Sequence, residues 1–479
     1  NGTVTDAATV GLLSAGLLTV GGVGAFTTVS GGTLSLNGAT ATVTTLNGGS
    51  LTLGGSTVLT VSGGNSAGTI NGGGSVVKDT GATLTLSGVN TFSGALTVNG
   101  GSLVAGIGAL GYTSGITVNG ATLSVVDYNS AAALSVNSSG LARISGSVLS
   151  LGTVSNANTT ADSVFFSNAA GVITLAGLIG VGSTRFAGDA TITSGGISNG
   201  VVDVARLLTS DISGGVVNAG TLSATTVSGG NGTVTDAATV GLLSAGLLTV
   251  GGVGAFTTVS GGTLSLNGAT ATVTTLNGGS LTLGNSTVLT VSGGNSAGTI
   301  NGAGSVVKDS GATLTLSGVN TFSGALTVNG GSLVAGAGAL GYTSGITVNG
   351  ATLSVVDYNS AAALSVNSSG LARISGSVLS LGTVSNANTT ADSVFFSNAA
   401  GVITLAGLIG VGSTRFAGDA TITSGGISNG VVDVARLLTS DISGGVVNAG
   451  TLIATTVSGG TLSLNGATAT VTTLNGGSL

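Results

Sequence analysis

Gly81-Ala82-Thr83-Leu84-Thr85-Leu86-Ser87-Gly88-Val89-Asn90-Thr91-Phe92-Ser93-Gly94 runs into Ala95-Leu96-Thr97-Val98-Asn99-Gly100-Gly101-Ser102-Leu103. Leu84 and Leu86 alternate with Thr83 and Thr85, the two-residue period of a strand with one apolar face. Asn99-Gly100-Gly101 then offers residues that accept the positive φ of a tight corner. The next alternation begins at once, at Ser102-Leu103. Short strands joined by glycine corners, with no helical period between them, describe a chain that winds instead of folding back.

The rest of the sequence repeats this texture. An apolar residue followed by Asn or Ser and Gly-Gly recurs at Val29, Leu46, Val61, Ile70 and Val98, for the most part at short and similar gaps. A longer period encloses it. Asn1-Gly2-Thr3-Val4-Thr5-Asp6 returns at Asn231 to Asp236, and the offset of 230 holds to residue 460 with five differences. These are Gly55/Asn285, Gly73/Ala303, Thr80/Ser310, Ile107/Ala337 and Ser223/Ile453. We therefore divide the chain into repeat units 1–230 and 231–460 and the start of a third copy, 461–479, expected to form one continuous solenoid. With no initiator Met and an end in mid-repeat, the chain reads as a window on a longer array. Periods of this kind signal a solenoid. At roughly 20 residues per coil the expectation is a parallel β-helix of about 24 coils, a rod about 115 Å long at the spacing of paired strands. Val201 to Leu208 comes nearest to a helical pattern, and its β-branched residues argue against one.

Composition excludes several function classes. Among 479 residues there is no Cys, His, Met, Trp or Pro, and only 5% are charged. Disulfides, thiolate metal sites and a Ser-His-Asp triad are therefore ruled out. Eight Lys plus Arg cannot make a nucleic-acid footprint. Polar residues break every apolar run, so no segment spans a bilayer as a helix. No cofactor is expected: there is no phosphate-loop motif, and Gly229-Gly230-Asn231-Gly232-Thr233-Val234-Thr235-Asp236 only loosely follows the calcium-binding G-G-x-G-x-D unit.

The opening segment, which recurs at Gly311 to Leu333, resembles the autotransporter-associated β-strand repeat of passenger regions in bacterial surface proteins. The residues that carry the resemblance are Leu84, Leu86, Gly88, Asn90, Thr91, Phe92, Gly94 and Asn99, and again Leu314, Leu316, Gly318, Asn320, Thr321, Phe322, Gly324 and Asn329. The resemblance implies a right-handed β-helix, export, and display at the cell surface through an anchor outside this sequence.

Candidate chemistry is sparse. Asp203 and Asp211 with Arg206 between them, and Asp433 and Asp441 with Arg436, form the densest charge clusters. Asp189 and Asp127 stand ready to join them from neighbouring coils. A carbohydrate-active β-helix places acid and base carboxylates on adjacent coils in this manner. The plainer reading, solvated residues at turns, is preferred, and no catalytic residue is assigned. Lys78-Asp79 and Lys308-Asp309 are likewise read as solvated turn residues. Phe165-Phe166 should place one ring inside and one outside. Asn residues at successive corners should stack as amide ladders. Thr-x-Thr units suggest ice binding only if they rank on one flat face.

The expected function is structural: a stalk or adhesin that presents repeated surfaces for attachment to cells, surfaces or matrix. The alternatives are a self-assembling filament and a polysaccharide-active or glycan-binding β-helix. Expected partners are the chain itself and host-cell, surface or glycan ligands.

Overall fold

The computed structural model describes residues 1–38, 40–268, 270–367, 369–377, 379–464 and 468–478. Part of the third copy, residues 465–467 and 479, lies outside the described residues. Two compact units are formed, Asn1–Thr235 and Asp236–Leu479. Every named secondary element among the described residues is a strand, so no helix is long and apolar enough to cross a membrane. Val201 to Leu208, the one stretch with a hint of helical pattern, lies in the strand Val201–Ile212.

Each unit is a parallel β-solenoid. Gly2–Val4 pairs with Leu17–Val20, which pairs with Thr33–Leu36, then Ser50–Leu53 and Thr69–Gly72, always in parallel. The same stacking runs through Leu96–Val98, Gly115–Val118 and Ala133–Val136. The two units together comprise about 26 turns of about 18 residues. The turn is thus slightly shorter than the motif alone suggests, because coil length varies. Val201 pairs with Val216 across a short coil, whereas Leu149 pairs with Ile173 across a long one.

The alternation seen in the sequence becomes continuous inner columns. Leu34, Leu51 and Ile70 stack in register and are almost fully buried. Outward positions carry Thr, Ser and Asn, and the amide ladders form as expected. Asn119 Nδ2 donates to Asn99 Oδ1 at 2.8 Å, and Asn137 Nδ2 donates to Asn119 Oδ1. In the second unit Asn349 donates to Asn329 at 2.9 Å and Asn367 to Asn349. All five differences between the copies avoid buried positions. Gly55, for example, has open space where a Cβ would point, so Asn285 fits in its place.

One inner column departs from the expected pattern. Val43, Val61, Lys78, Val98, Val118, Val136 and Asn156 stack in this order, and Lys78 is 0% exposed. Lys308 occupies the same place between Val291 and Val328. The expectation of solvated lysines is therefore corrected. Val76, Val77 and Lys78 alternate in, out and in, so strand parity carries the lysine inside.

Candidate functional site

The segment that carries the family resemblance is a clamp across three coils. Asn90, 1% exposed, accepts from Ile70 N at 2.8 Å through Oδ1. Its Nδ2 donates to Gly88 O and to Ala109 O, both at 3.0 Å. Asn320 repeats the set with Ile300, Gly318 and Ala339. One amide thus satisfies backbone groups of the coil before, its own coil and the coil after. Thr91 Oγ1 donates to Asn71 Oδ1 at 2.8 Å, and Thr321 does the same to Asn301. Leu84, Leu86 and Phe92 fill the core beneath, as do Leu314, Leu316 and Phe322. Gly88 is required by close approach: a Cβ there would lie 2.0 Å from Gly68 O, and one on Gly94 would lie 2.3 Å from Gly74 O. Gly318 and Gly324 meet Gly298 O and Gly304 O in the same way.

Lys78 completes this clamp from inside. Its Nζ donates to Gly100 O at 2.8 Å and to Thr80 O. Lys308 bonds Gly330 O at 2.9 Å and Ser310 O. Because the acceptor is a backbone carbonyl, the change from Thr80 to Ser310 leaves the arrangement intact. Burial holds both amines below the ordinary lysine range, and the carboxylates of Asp79 and Asp309 beside them partly oppose the shift.

Farther along each unit the coils widen into a belt. The strands Val164–Ile179, Ser183–Ile192, Val201–Ile212 and Val216–Val227 are 10 to 16 residues long, against three or four in the clamp coils. A buried polar knot marks the transition. Asn156 Nδ2 donates to Ser163 Oγ at 3.1 Å and Ser183 O at 2.8 Å, and Ser163 Oγ donates to Asn158 O at 2.6 Å.

The charged residues lie on the outside of this belt. Arg143, Phe165, Arg185, Asp203 and Asn218 occupy one outward column, one per coil. Arg185 lies over the Phe165 ring at 5.8 Å and pairs with Asp162 at 3.2 Å. Asp162 has a φ of 52°, a left-handed conformation uncommon for any residue but glycine. In the second unit Arg415 lies 5.6 Å from the Phe395 ring and 3.1 Å from Asp392. The neighbouring rings, Phe166 and Phe186, stack inside at 5.1 Å. The adjacent phenylalanines therefore divide between core and surface as expected.

The sequence cluster of Asp203, Arg206 and Asp211 is taken apart by the fold. Arg206 pairs with Asp189 on the preceding coil at 3.6 Å, not with either sequence neighbour. Asp203 Oδ1 accepts from Asn218 at 2.7 Å, and Asp211 accepts from Ser228 Oγ at 3.1 Å. Asp433 is held by Asn448 at 2.6 Å, and Arg436 by Asp419 at 3.9 Å; Asp441 lies on the strand Val431–Ile442 with Asp433. Asp127 stays apart, at a corner where its carboxylate accepts from Ser147 N, which holds it below the ordinary aspartate range. Asp127, Asp189, Asp203 and Asp211 thus each answer a different neighbour, and no two of these carboxylates share a partner.

Sequence reasoning missed a shallow groove beside the Asp189–Arg206 pair. Val172, Ala190, Thr191 and Leu208 complete a cavity of about 230 Å³. The second unit repeats it with Val402, Asp419, Ala420, Thr421, Arg436 and Leu438 around about 170 Å³. Val172 and Leu208 are about half exposed and so offer aliphatic surface to the groove.

The sequence model of the passenger-associated transport repeat matches residues 76–105 and 306–335. Both stretches begin on the strand of the buried lysine and contain the core of the three-coil clamp. No curated protein and no solved structure matches the chain.

Proposed function

From the two passenger-associated transport repeats on its β-solenoid, which support a passenger repeat region, we propose that it acts as a stalk-like adhesin. Such repeats imply an exported, surface-associated protein. Repeats and fold together fit a non-enzymatic role. The observation that carries the proposal is the duplication of the outer belt with its two ion pairs and its cation–ring contact kept. Arg185, Phe165 and Asp162 recur as Arg415, Phe395 and Asp392, and Asp189 with Arg206 recurs as Asp419 with Arg436. A solenoid can lengthen by whole repeats because each coil contacts only its neighbours. Surfaces repeated in this way gain avidity from weak individual contacts.

The test is attachment as a function of copy number. Cells displaying one, two or four copies of the repeat unit at equal surface density are challenged with a partner surface under flow. The proposal expects retention to rise more steeply than copy number. Retention that does not depend on the repeat would overturn it.

A further inference from the structure

The groove on the belt adjoins a second cavity. Thr191, Ile192, Thr193, Leu208, Thr209, Ser210 and Thr225 line a space of about 240 Å³ that shares Thr191 and Leu208 with the first. In the other unit the equivalent space is about 340 Å³ and shares Thr421 and Leu438. Each cavity lies near or below the lower end of pocket sizes for drug-sized ligands, about 300–1,000 Å³. Two of them side by side suit a linear ligand that places one small group in each.

Their lining specifies that ligand. The first cavity holds one cation and one anion, Arg206 and Asp189, and the second holds no charged residue. The groove is therefore balanced in charge and complements a neutral ligand. The ion pair is long, 3.6 Å and 3.9 Å in the two units, and largely exposed, so both groups keep hydrogen-bonding capacity for hydroxyls. Ser210 Oγ and Ser440 Oγ are buried and find no hydrogen-bond partner among the described residues. Their oxygens have almost no accessible surface, so they lie beneath the groove wall and do not meet a ligand in it. Val172 and Leu208 offer aliphatic surface between the polar groups. An added peptide strand has no edge to join, because Ser183–Ile192 and Val201–Ile212 are paired on both sides.

We propose that this groove binds a neutral polysaccharide strand, with hydroxyls on Arg206 and Asp189 and the C–H faces of the sugars on Val172 and Leu208. This names the partner class for the displayed surface proposed above, and so rests on that reading. The purified chain is tested by affinity electrophoresis against a β-1,4-glucan, an α-mannan and a dextran, with heparin as the acidic comparison. At least one neutral polymer is expected to retard the chain. The double variant Arg206→Ala with Arg436→Ala should weaken that retardation about tenfold, the worth of a charge-assisted hydrogen bond. Leu208→Asp with Leu438→Asp, also at exposed positions, should abolish it, and unchanged circular dichroism will show that both variants fold. Retardation by no neutral polymer, retardation equal in the variants, or retardation by heparin alone would overturn the groove assignment. Attachment that still scales with copy number in any of these cases would leave the adhesin reading standing, so the two failures are distinguishable.

Discussion

Replacing Lys78 tests how the passenger repeat is held together. The side chain lies in the inner column between Val61 and Val98, with no exposed surface. Truncation in Lys78→Ala removes a buried stem of three methylenes, worth about 2.4 kcal/mol at about 0.8 each. It also removes the donor to Thr80 O and Gly100 O, at about 1 kcal/mol per bond. The expected local loss is about 4.4 kcal/mol, the sum of the stem and the two bonds. Lys78→Met keeps the stem and should lose less than half of that. The two variants also share a signature that a packing defect cannot mimic. Burial places the folded amine below its ordinary 10.5, so between those two values the unfolded chain binds the proton and the folded chain does not. Stability contributed by this site therefore rises with pH across that window and reaches its full value above the ordinary lysine range. Both variants should lose that rise. The assay is urea unfolding followed by circular dichroism at several pH values from about 7 to about 10, on the double variants at Lys78 and Lys308 beside the parent chain. A parent whose midpoint does not rise with pH, or an alanine variant as stable as the methionine one, would refute the reasoning.

Three further outcomes follow from the geometry. Gly88→Ala drives a Cβ to 2.0 Å from Gly68 O and should cost about 1–3 kcal/mol in urea unfolding, whereas Gly81→Ala, with nothing within 4 Å, should stay within about 0.5 kcal/mol. Phe166→Ala empties a stacked, fully buried site and should cost about 3–5 kcal/mol; Phe165→Ala, outside under Arg185, should cost about 1 kcal/mol or less. Asp127 has a folded value below its ordinary 3.8 because Ser147 N donates to it, so its support is complete above the ordinary value and is lost as pH falls through the folded one; Asp127→Asn should make the Ser147 amide exchange faster at neutral pH and remove its acid dependence, read by hydrogen exchange.

The alternation of Leu with Thr, the glycine corners and the long repeat were enough to reach a parallel solenoid. The Asn ladders and the division of Phe165 from Phe166 were legible for the same reason, since both follow from strand parity. Lys78 was equally legible by parity with Val76, but its charge and its Asp79 neighbour pointed to a turn. The belt was not legible. Its long strands begin where Asn156 replaces a valine in the inner column, and the partner of Arg206 is Asp189, on the preceding coil. Sequence adjacency suggested Asp203 and Asp211, yet in a solenoid the residue one coil away is the nearer neighbour. The groove was hidden for a related reason: Val172, Thr191 and Leu208 come from three coils.

The most direct measurement is gold-labelled antibody against the Arg185–Phe165 belt on intact, unpermeabilised cells of the source organism. The account predicts dense labelling, held away from the outer membrane and in more than one position per molecule. Label that appears only after permeabilisation would contradict the exported, repeated surface on which the functional reading stands.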